Sequence, residues 1–238
     1  MSEPWLLVDL VPAEDGGEVA LPTAEARHAL SVLRLGPGDP LVLADGRGGL
    51  ARGRVASAGR GALSVAVERV ERVPRPAPSV TVALAVLHTK AMDWAVQKCV
   101  EVGAERFVPV VAARSQLGAG AAAGRLGHWR RVALQAIKQC RRPWAMEVAE
   151  PVSLDALASG PPGFLADAAG APVLAVPHSL PATLLVGPEG GLTPTEAGLL
   201  DRAGWTPVRL GPNVLRAETA AVVGAACLLA STEVTGAV

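Results

Sequence analysis

The stretch LLVGPEGGLTPTE, residues 184–196, joins a short hydrophobic run to a helix start through a turn that contains three glycines. Thr193, Pro194 and Glu196 match a capping box with proline in the first helical position, so a helix is expected to begin there and to end near Gly204. The stretch therefore predicts a strand, a glycine-rich loop and a helix, as in a parallel α/β fold.

The glycine-rich loop does not fit the common phosphate-binding motifs. A Walker loop requires a lysine, but no Lys or Arg lies between Arg142 and Arg202, and GPEGG lacks the GxGxxG spacing of a dinucleotide fingerprint. The carboxylate of Glu189 in the turn also disfavours an anionic ligand. A neutral or cationic small molecule is expected instead.

The next segment repeats the same arrangement, with TPVRL as a strand, GPNVLRAE as a loop and TAAVVGAACLLA as a buried helix (residues 206–230). Two adjacent strands are thus expected to end in Gly-Pro loops. Because open α/β folds bind ligands at the carboxyl ends of their strands, the two loops together predict a binding site. The alternative is a pair of ordinary tight turns.

The proline-rich segment VPRPAPSV, residues 73–80, separates two regions that differ in their pattern of residue types. Before it, short β-rich runs broken by Asp-Gly and Gly-Gly turns predict a small antiparallel β domain over residues 1–74. After it, strand-like and helical runs alternate, which predicts a parallel α/β domain over residues 79–238. In that second domain GFLAD and APVLAV are expected to be separate strands, and apolar stripes predict helices over residues 90–102 and 126–140.

Composition excludes several classes of protein. The three cysteines, Cys99, Cys140 and Cys227, are odd in number and far apart, so neither a disulfide framework nor a metal site is expected, and all three are interpreted as core or interface residues. No apolar run approaches the length of a membrane span, and the N-terminus lacks the features of a signal peptide. We expect a soluble, cytoplasmic protein.

The formal net charge of zero hides a segregation of charges along the chain. Residues 27–146 contain nineteen basic and seven acidic residues, a net charge of +12. Such a block predicts a basic surface for a polyanion such as RNA, because the neutralisation of phosphates releases counterions. Solvated arginines on helix surfaces are the alternative.

LLVGPEGGLTPTE followed by LGPNVLRAETAA resembles the C-terminal signature of the bacterial 16S rRNA (uracil-N3)-methyltransferases, a branch of the SPOUT superfamily. HALSVLRLGPGDPLVLADG, QKCVEVGAERFVPV, ARSQ and AIKQCRRP are similar to that family's successive upstream motifs, so the resemblance covers most of the chain. One five-residue run and one single residue depart from the family pattern. Residues 99–103 replace an Ala-Thr-Glu-Leu-Gly run, and Lys138 stands where a Glu is usual.

The resemblance implies a PUA-like N-terminal domain, an α/β domain whose chain is tied in a C-terminal trefoil knot, a homodimer and a 16S rRNA substrate. It also implies that S-adenosylmethionine binds against bare backbone and apolar side chains of the two loops, at Val186, Gly187, Glu189, Gly191, Leu210, Gly211, Val214 and Leu215. A side chain at Gly187 or Gly211 is expected to fill the adenine slot or to force a disfavoured turn.

Arg216 and Glu218 are the candidates for the chemistry. Arg216 is expected to stabilise the uracil anion or an RNA phosphate, and Glu218 to orient the arginine or to accept the N3 proton. A salt bridge at a helix N-terminus is the alternative for this pair, and Glu189 has the alternative role of locking its turn.

The candidates for binding RNA phosphates are Arg27, His28, Arg34, Lys90, Lys98, Arg114 and Arg142. Two other classes of function remain open: a SPOUT methyltransferase for a tRNA base or a ribose 2′-hydroxyl, and a non-catalytic RNA-binding protein of ribosome assembly.

Overall fold

The computed structural model describes residues 3–59, 61–77 and 79–233, without side chains for 231–233. The chain forms two compact units, Met1–Pro76 with Leu134–Ala145 and Ala77–Ala133 with Met146–Val238. The chain thus passes from the first unit to the second within the proline-rich segment. It returns to the first unit for one helix end and the loop that follows it.

The first unit is built on a five-stranded sheet in the order β1-β3-β4-β5-β2, in which β1 pairs with β3 in parallel and the other pairs are antiparallel. One helix, α1, packs against strands β5 and β1 of this sheet. The elements are β1 (Trp5–Leu7), β2 (Glu18–Ala20), α1 (Thr23–Ser31), β3 (Pro40–Ala44), β4 (Gly49–Gly59) and β5 (Ala62–Arg72). The predicted small β domain is confirmed.

Alternation of residue types explains this sheet. In β5, Leu63, Val65 and Val67 point into the core while the residues between them are exposed or half-buried, as expected for a strand with one buried face. They pack with Leu41 and Leu43 of β3 in one apolar cluster. The short period-2 strands therefore close a core without needing a second sheet.

A buried ion pair fixes residues 134–145 in the first unit. Lys138 Nζ lies 2.9 Å from Glu25 Oε1, and the second oxygen of Glu25 accepts a hydrogen bond of 3.2 Å from the backbone N–H of Leu7. Removal of one partner of such a pair leaves the other as an uncompensated buried charge, which typically lowers the stability of the fold by about 3–5 kcal/mol. Lys138, which departs from the family pattern, thus has a structural role.

The second unit contains a seven-stranded parallel sheet in the order β12-β10-β11-β6-β7-β8, with β9 also paired to β7. The prediction of a parallel α/β domain is confirmed. The strands are β6 (Val80–Ala85), β7 (Arg106–Val111), β8 (Glu147–Val148), β9 (Val152–Ser153), β10 (Phe164–Pro172), β11 (Ala182–Val186) and β12 (Thr206–Arg209). The helices are α2 (Thr89–Val102), α3 (Ala119–Cys140), α4 (Leu154–Ala158), α5 (Pro194–Arg202) and α6 (Ala217–Glu233), with a 3₁₀ turn at Val173–Ala175.

Two expectations about β10 were wrong. GFLAD and APVLAV do not form separate strands, since β10 runs through Phe164–Pro172 and the rest of the second run forms the 3₁₀ turn. The strands that end in Gly-Pro loops are also not adjacent, because β10 lies between β11 and β12. Strand order depends on contacts between residues that are distant in sequence, and local residue patterns do not predict such contacts.

The predicted helix faces pack as expected. Met92, Ala95, Val96, Cys99 and Val100 of α2 are all buried. Burial raises the pKa of the Cys99 thiol to about 12, so this cysteine is a neutral core residue. The helix predicted over residues 126–140 begins earlier, at Ala119. Within the described part of the chain, no helix is both long and apolar enough to cross a membrane.

Close packing of α6 depends on Gly224. A Cβ at this position would overlap the end of the buried Leu184 side chain of β11, so glycine lets the helix approach the sheet closely without moving this leucine. This contact packs α6 against β11, and the first turn of α6 lines the cavity described next.

Candidate active site

A cavity of about 590 Å³ opens at the carboxyl ends of β10, β11 and β12, within the size range of small-molecule sites. The loop after β11 contributes the predicted residues Val186, Gly187, Glu189 and Gly191. The segment after β12 contributes Leu210, Val214 and Leu215. The structure thus brings seven of the eight predicted cofactor residues together around one space.

Gly211 is the exception, because it does not line the cavity. Nothing lies within 4 Å of the position that a Cβ would occupy there, and its backbone is outside the left-handed region. At Gly187 a Cβ would make only an ordinary contact, 3.4 Å from Leu192. The strained turn expected at these two glycines is instead found at Gly191, whose φ is +69°.

Glu196 holds the glycine-rich loop in place. Its Oε2 accepts hydrogen bonds from the backbone N–H (2.8 Å) and the hydroxyl (2.9 Å) of Thr193, and the Thr193 hydroxyl in turn caps α5. Oε1 accepts a hydrogen bond of 2.7 Å from the backbone N–H of Ala113 in the loop after β7. The predicted capping box is therefore present, and it also ties two loops together.

The charge state of Glu196 follows from these contacts. Partial burial raises its pKa, but the hydrogen bonds from Ala113 and Thr193 and the nearby Arg114 guanidinium outweigh burial, so its pKa lies below the ordinary value. Glu196 is therefore an anion at neutral pH. It locks the turn, the role considered for Glu189, which is exposed and makes no hydrogen bond within the described residues.

Arg114 reaches the same loop from the other side. One of its guanidinium nitrogens donates a hydrogen bond of 2.6 Å to the carbonyl oxygen of Gly190. The side chain predicted to bind an RNA phosphate thus has an intramolecular partner at the cavity wall.

The segment between β12 and α6 has a different character. Residues 211–215 make no hydrogen bond to a neighbouring loop in the described part of the chain, and Val214 is 88% exposed. Arg216 is exposed and lines the cavity, whereas Glu218 is half-buried in the first turn of α6 and lies outside the lining. No ion pair joins the two within the described residues, so the helix-end salt bridge considered for them is absent.

A third loop completes the cavity and was not predicted from the sequence. Leu165, Ala166, Asp167 and Ala168 of β10 contribute to its lining, because β10 lies between the other two strands. The sequence signal for this loop is the small-residue run after Asp167, which lies between the two segments, GFLAD and APVLAV, that were expected to form separate strands.

The candidates for RNA contacts are spread over both units. Arg27 and Arg34 are exposed and His28 is half-buried on or just after α1, and Arg34 has an unusual φ of +57°. Arg142, half-buried, follows α3. In the second unit Lys90 is exposed, whereas Lys98 pairs with Glu101 at 2.7 Å.

Part of the basic block is neutralised by acids from outside it. These ion pairs are Arg52–Glu3, Arg106–Glu147, Arg130–Glu150 and Lys138–Glu25. The first three are surface pairs and add little stability, but all four reduce the charge available to a polyanion. No cluster of three or more potential metal ligands occurs among the described residues.

Comparisons with known proteins identify the family of this chain. A family model described as an RNA methyltransferase domain matches residues 74–229, and one described as an RNA methyltransferase PUA domain matches residues 21–68. The ribosomal RNA small subunit methyltransferase E of Mycobacterium tuberculosis is 39% identical over 231 residues, which cover 91% of this chain and 87% of the relative. The protein of the same name from Bacillus subtilis is 26% identical over 92% of this chain and 93% of its own length.

Two solved structures share the whole architecture. A methyltransferase from Legionella pneumophila in complex with the bound cofactor SAM has a TM-score of 0.87 at 26% identity, over 97% of this chain and 98% of that one. The ribosomal RNA small subunit methyltransferase E of Neisseria gonorrhoeae, bound to S-adenosyl methionine, has a TM-score of 0.85 at 24% identity, over 96% and 98% of the two chains, and so shows the shared fold. The resemblance seen in the sequence motifs is confirmed, and the chain belongs to the RNA methyltransferase family that includes ribosomal RNA small subunit methyltransferase E.

Proposed function

We propose that this protein is an S-adenosylmethionine-dependent methyltransferase that modifies N3 of a uridine in the 16S RNA of the small ribosomal subunit. The observation that carries the proposal is the cavity at the ends of β10, β11 and β12, with buried apolar residues inside and charged residues at its rim. An anion-binding site needs basic groups around its ligand, whereas here the two acids Asp167 and Glu189 share the rim with Arg209 and Arg216. A ligand that combines an apolar ring with a cation fits this distribution.

The residues present suit S-adenosylmethionine. Buried Val186 and Val208 and half-buried Leu210 and Leu215 provide an apolar slot for the adenine, and bare backbone at Gly187 leaves room for its hydrogen-bonding edge. When bound, S-adenosylmethionine supplies a methyl group on a cationic sulfur. Much of the catalysis is then positioning, because methyl transfer is an in-line displacement.

We assign Arg216 and Glu218 to the uracil that accepts the methyl group. Uracil N3 carries a proton at neutral pH, and negative charge develops on the ring as that proton leaves. Arg216, exposed at the rim, stabilises this charge. Glu218 lies in the first turn of α6, where the helix dipole favours a carboxylate, and we assign it the role of orienting Arg216 or accepting the proton once RNA is bound.

RNA binding follows from the basic side chains. Arg27, His28 and Arg34 of the first unit contact phosphates, as do Arg142 and, in the second unit, Lys90. Lys98 and Arg114 contribute less, because a phosphate must compete with Glu101 for the lysine and with the Gly190 carbonyl for the arginine.

We also propose that the protein is a homodimer that includes α6 in its interface. A helix that is apolar on all sides is normally buried on all sides, and the α6 sequence is of this kind. Its residues Val222, Val223 and Ala226 are nevertheless only half-buried in one chain, and Trp94 of the neighbouring α2 is 40% exposed. A second copy covers these residues. We further propose that the chain forms the trefoil knot of the SPOUT fold and that the protein is cytoplasmic.

Calorimetry with S-adenosylmethionine and methylation of 16S RNA or small subunits, followed by chromatography of the nucleosides, test the proposal together. We expect binding of the cofactor and formation of 3-methyluridine. Methylation of tRNA or of a ribose 2′-hydroxyl would identify a different SPOUT target. RNA binding without cofactor binding would identify a non-catalytic assembly protein.

A further inference from the structure

A four-residue excursion interrupts the pairing of β10 with β12. Ala166 and Ala171 both pair with Val208, so residues 167–170 leave the ladder between them. The excursion closes tightly, because a Cβ at Gly170 would come within 2.5 Å of the Val208 backbone nitrogen. Bulges of this kind redirect side chains and are frequent beside active sites.

The excursion presents the carboxylate of Asp167 at the rim of the cavity. Asp167 Oδ1 accepts a hydrogen bond of 2.8 Å from the backbone N–H of Ala169, which fixes the side chain in an Asx turn. Oδ2 has no hydrogen-bond partner among the described residues. One oxygen thus anchors the side chain and the other is available to a ligand.

A cation stands on the neighbouring strand. Arg209, the last residue of β12, is exposed and lines the same cavity. Neither Arg209 nor Asp167 forms an ion pair, with the other or elsewhere, in the described part of the chain. Two opposite charges at one rim, held apart from each other, provide separate binding positions for a cationic and an anionic group.

We propose that Asp167 and Arg209 bind the amino-acid end of S-adenosylmethionine, with Asp167 accepting from the α-ammonium group and Arg209 donating to the α-carboxylate. The inference rests on the proposed function. Only the amino-acid end of this cofactor carries both charges, and the apolar interior of the cavity suits the adenine at the other end. Charge-assisted hydrogen bonds of this kind are the strong ones.

Four ligands that differ at this end test the assignment in calorimetric titrations. S-adenosylmethionine and its decarboxylated form differ only in the carboxylate, and S-adenosylhomocysteine and 5′-methylthioadenosine differ in the whole amino-acid end. Asp167→Asn keeps an oxygen for the Ala169 N–H, so the loop is preserved. We expect this variant to bind S-adenosylmethionine, its decarboxylated form and S-adenosylhomocysteine about tenfold more weakly, and methylthioadenosine unchanged.

Arg209→Gln should weaken S-adenosylmethionine and S-adenosylhomocysteine by about tenfold, and leave the decarboxylated form and methylthioadenosine unchanged. Asp201→Asn and Arg202→Gln are matched controls, since this exposed pair on α5 lies outside the cavity. Both should bind all four ligands as the unaltered protein does. Glu189→Gln tests whether the other acid of the rim, in place of Asp167, accepts from the ammonium.

Three results would overturn the inference while leaving the proposed function intact. The first is an equal loss of methylthioadenosine binding in Asp167→Asn, which would assign the carboxylate to the nucleoside. The second is unchanged binding of all four ligands in both variants. The third is a tenfold effect in Glu189→Gln in place of Asp167→Asn. If the unaltered protein binds no S-adenosylmethionine, the proposed function and this inference fail together.

Discussion

The cavity has two unequal walls. The loop after β11 is tied through Glu196 to Ala113 and Thr193, and through the Gly190 carbonyl to Arg114. The segment after β12, residues 211–215, has no such ties among the described residues, and it exposes Val214 almost fully. One wall is therefore held in shape before any ligand arrives, whereas the other depends on what binds against it.

This difference separates two contributions to the proposed activity. A wall held by its own hydrogen bonds gives affinity, because the ordering cost is met in folding and not in binding. A wall with few ties can close over a cofactor or meet an RNA base, and its residues then act mainly after the complex has formed. Substitutions in the first wall should change cofactor affinity, and those in the second should change the rate of methyl transfer.

The largest effect is expected at Arg216, on the loosely tied wall. Arg216→Ala should lower the single-turnover rate of methylation by about 10²–10³, because one well-placed electrostatic donor is lost where charge develops. Affinity for S-adenosylmethionine should be unchanged. Arg216→Lys should recover only part of the rate, since an ammonium lacks the planar fork of a guanidinium.

The pH dependence of the same variant separates chemistry from RNA positioning. If Arg216 assists the loss of the N3 proton, raising the pH should partly restore the rate of Arg216→Ala. A wild-type rate at saturating RNA would contradict a catalytic role and leave Arg216 as a phosphate contact.

The second effect contrasts glycines of the two walls. Gly191→Ala places a side chain at a φ of +69°, which typically costs about 1–2 kcal/mol, so S-adenosylmethionine affinity should fall by about tenfold. Gly211→Ala, where a Cβ meets open space, should bind within about twofold of the unaltered protein. Calorimetry on both folded variants makes the comparison, and equal losses would show that the two walls are not different.

What the sequence could predict at this site was local. The capping box of Thr193 and Glu196 lies within four residues, and the glycines of the turn announce a loop, so the tied wall was largely foreseen. The link from Glu196 to Ala113 spans 83 positions, and the partner of Lys138, Glu25, is 113 positions away. No periodicity records contacts of that kind.

The wall formed by β10 was missed for a related reason. Its run of small residues fits a strand as well as a loop, and only the pairing of both Ala166 and Ala171 with Val208 shows that residues 167–170 leave the sheet. Patterns of residue types predicted the parallel fold and its helices, because burial repeats along each element. The strand order, which sets the neighbours of the cavity, depends on how those elements pack.

The third prediction concerns Glu196 and acid. Because its folded-state pKa is lowered, Glu196 contributes stability that is fully present above the ordinary value of 4.5 and is lost as the pH falls through the folded pKa. Glu196→Gln, with one acceptor oxygen in place of two, should lower the Tm by about 3 °C at pH 7 and weaken S-adenosylmethionine by about fourfold. The gap in Tm between the two proteins should narrow as the pH falls below 4.5.

Glu189→Gln is the matched control for this series, since it removes the same charge from the loop just before α5 without removing a hydrogen bond within the described residues. Its Tm should follow that of the unaltered protein at each pH. A Tm gap between Glu196→Gln and the unaltered protein that stays constant down to pH 3 would contradict a stabilising role of the ionised Glu196 carboxylate.

The smallest effect distinguishes a residue that holds the loop after β11, Arg114, from a proposed phosphate contact, Lys90. Arg114→Gln removes one exposed hydrogen bond to the Gly190 carbonyl, so S-adenosylmethionine affinity should fall by about twofold to threefold, with little change in the salt dependence of RNA binding. Lys90→Gln should leave S-adenosylmethionine affinity unchanged. Its RNA binding should depend less on salt, because loss of one phosphate contact reduces the magnitude of the slope of log K against log salt by about 1. Filter binding at several salt concentrations and calorimetry measure the two quantities. If Arg114→Gln lowers the salt slope and spares cofactor affinity, then Arg114 releases Gly190 to bind RNA, and the wall after β11 is less rigid than its hydrogen bonds indicate.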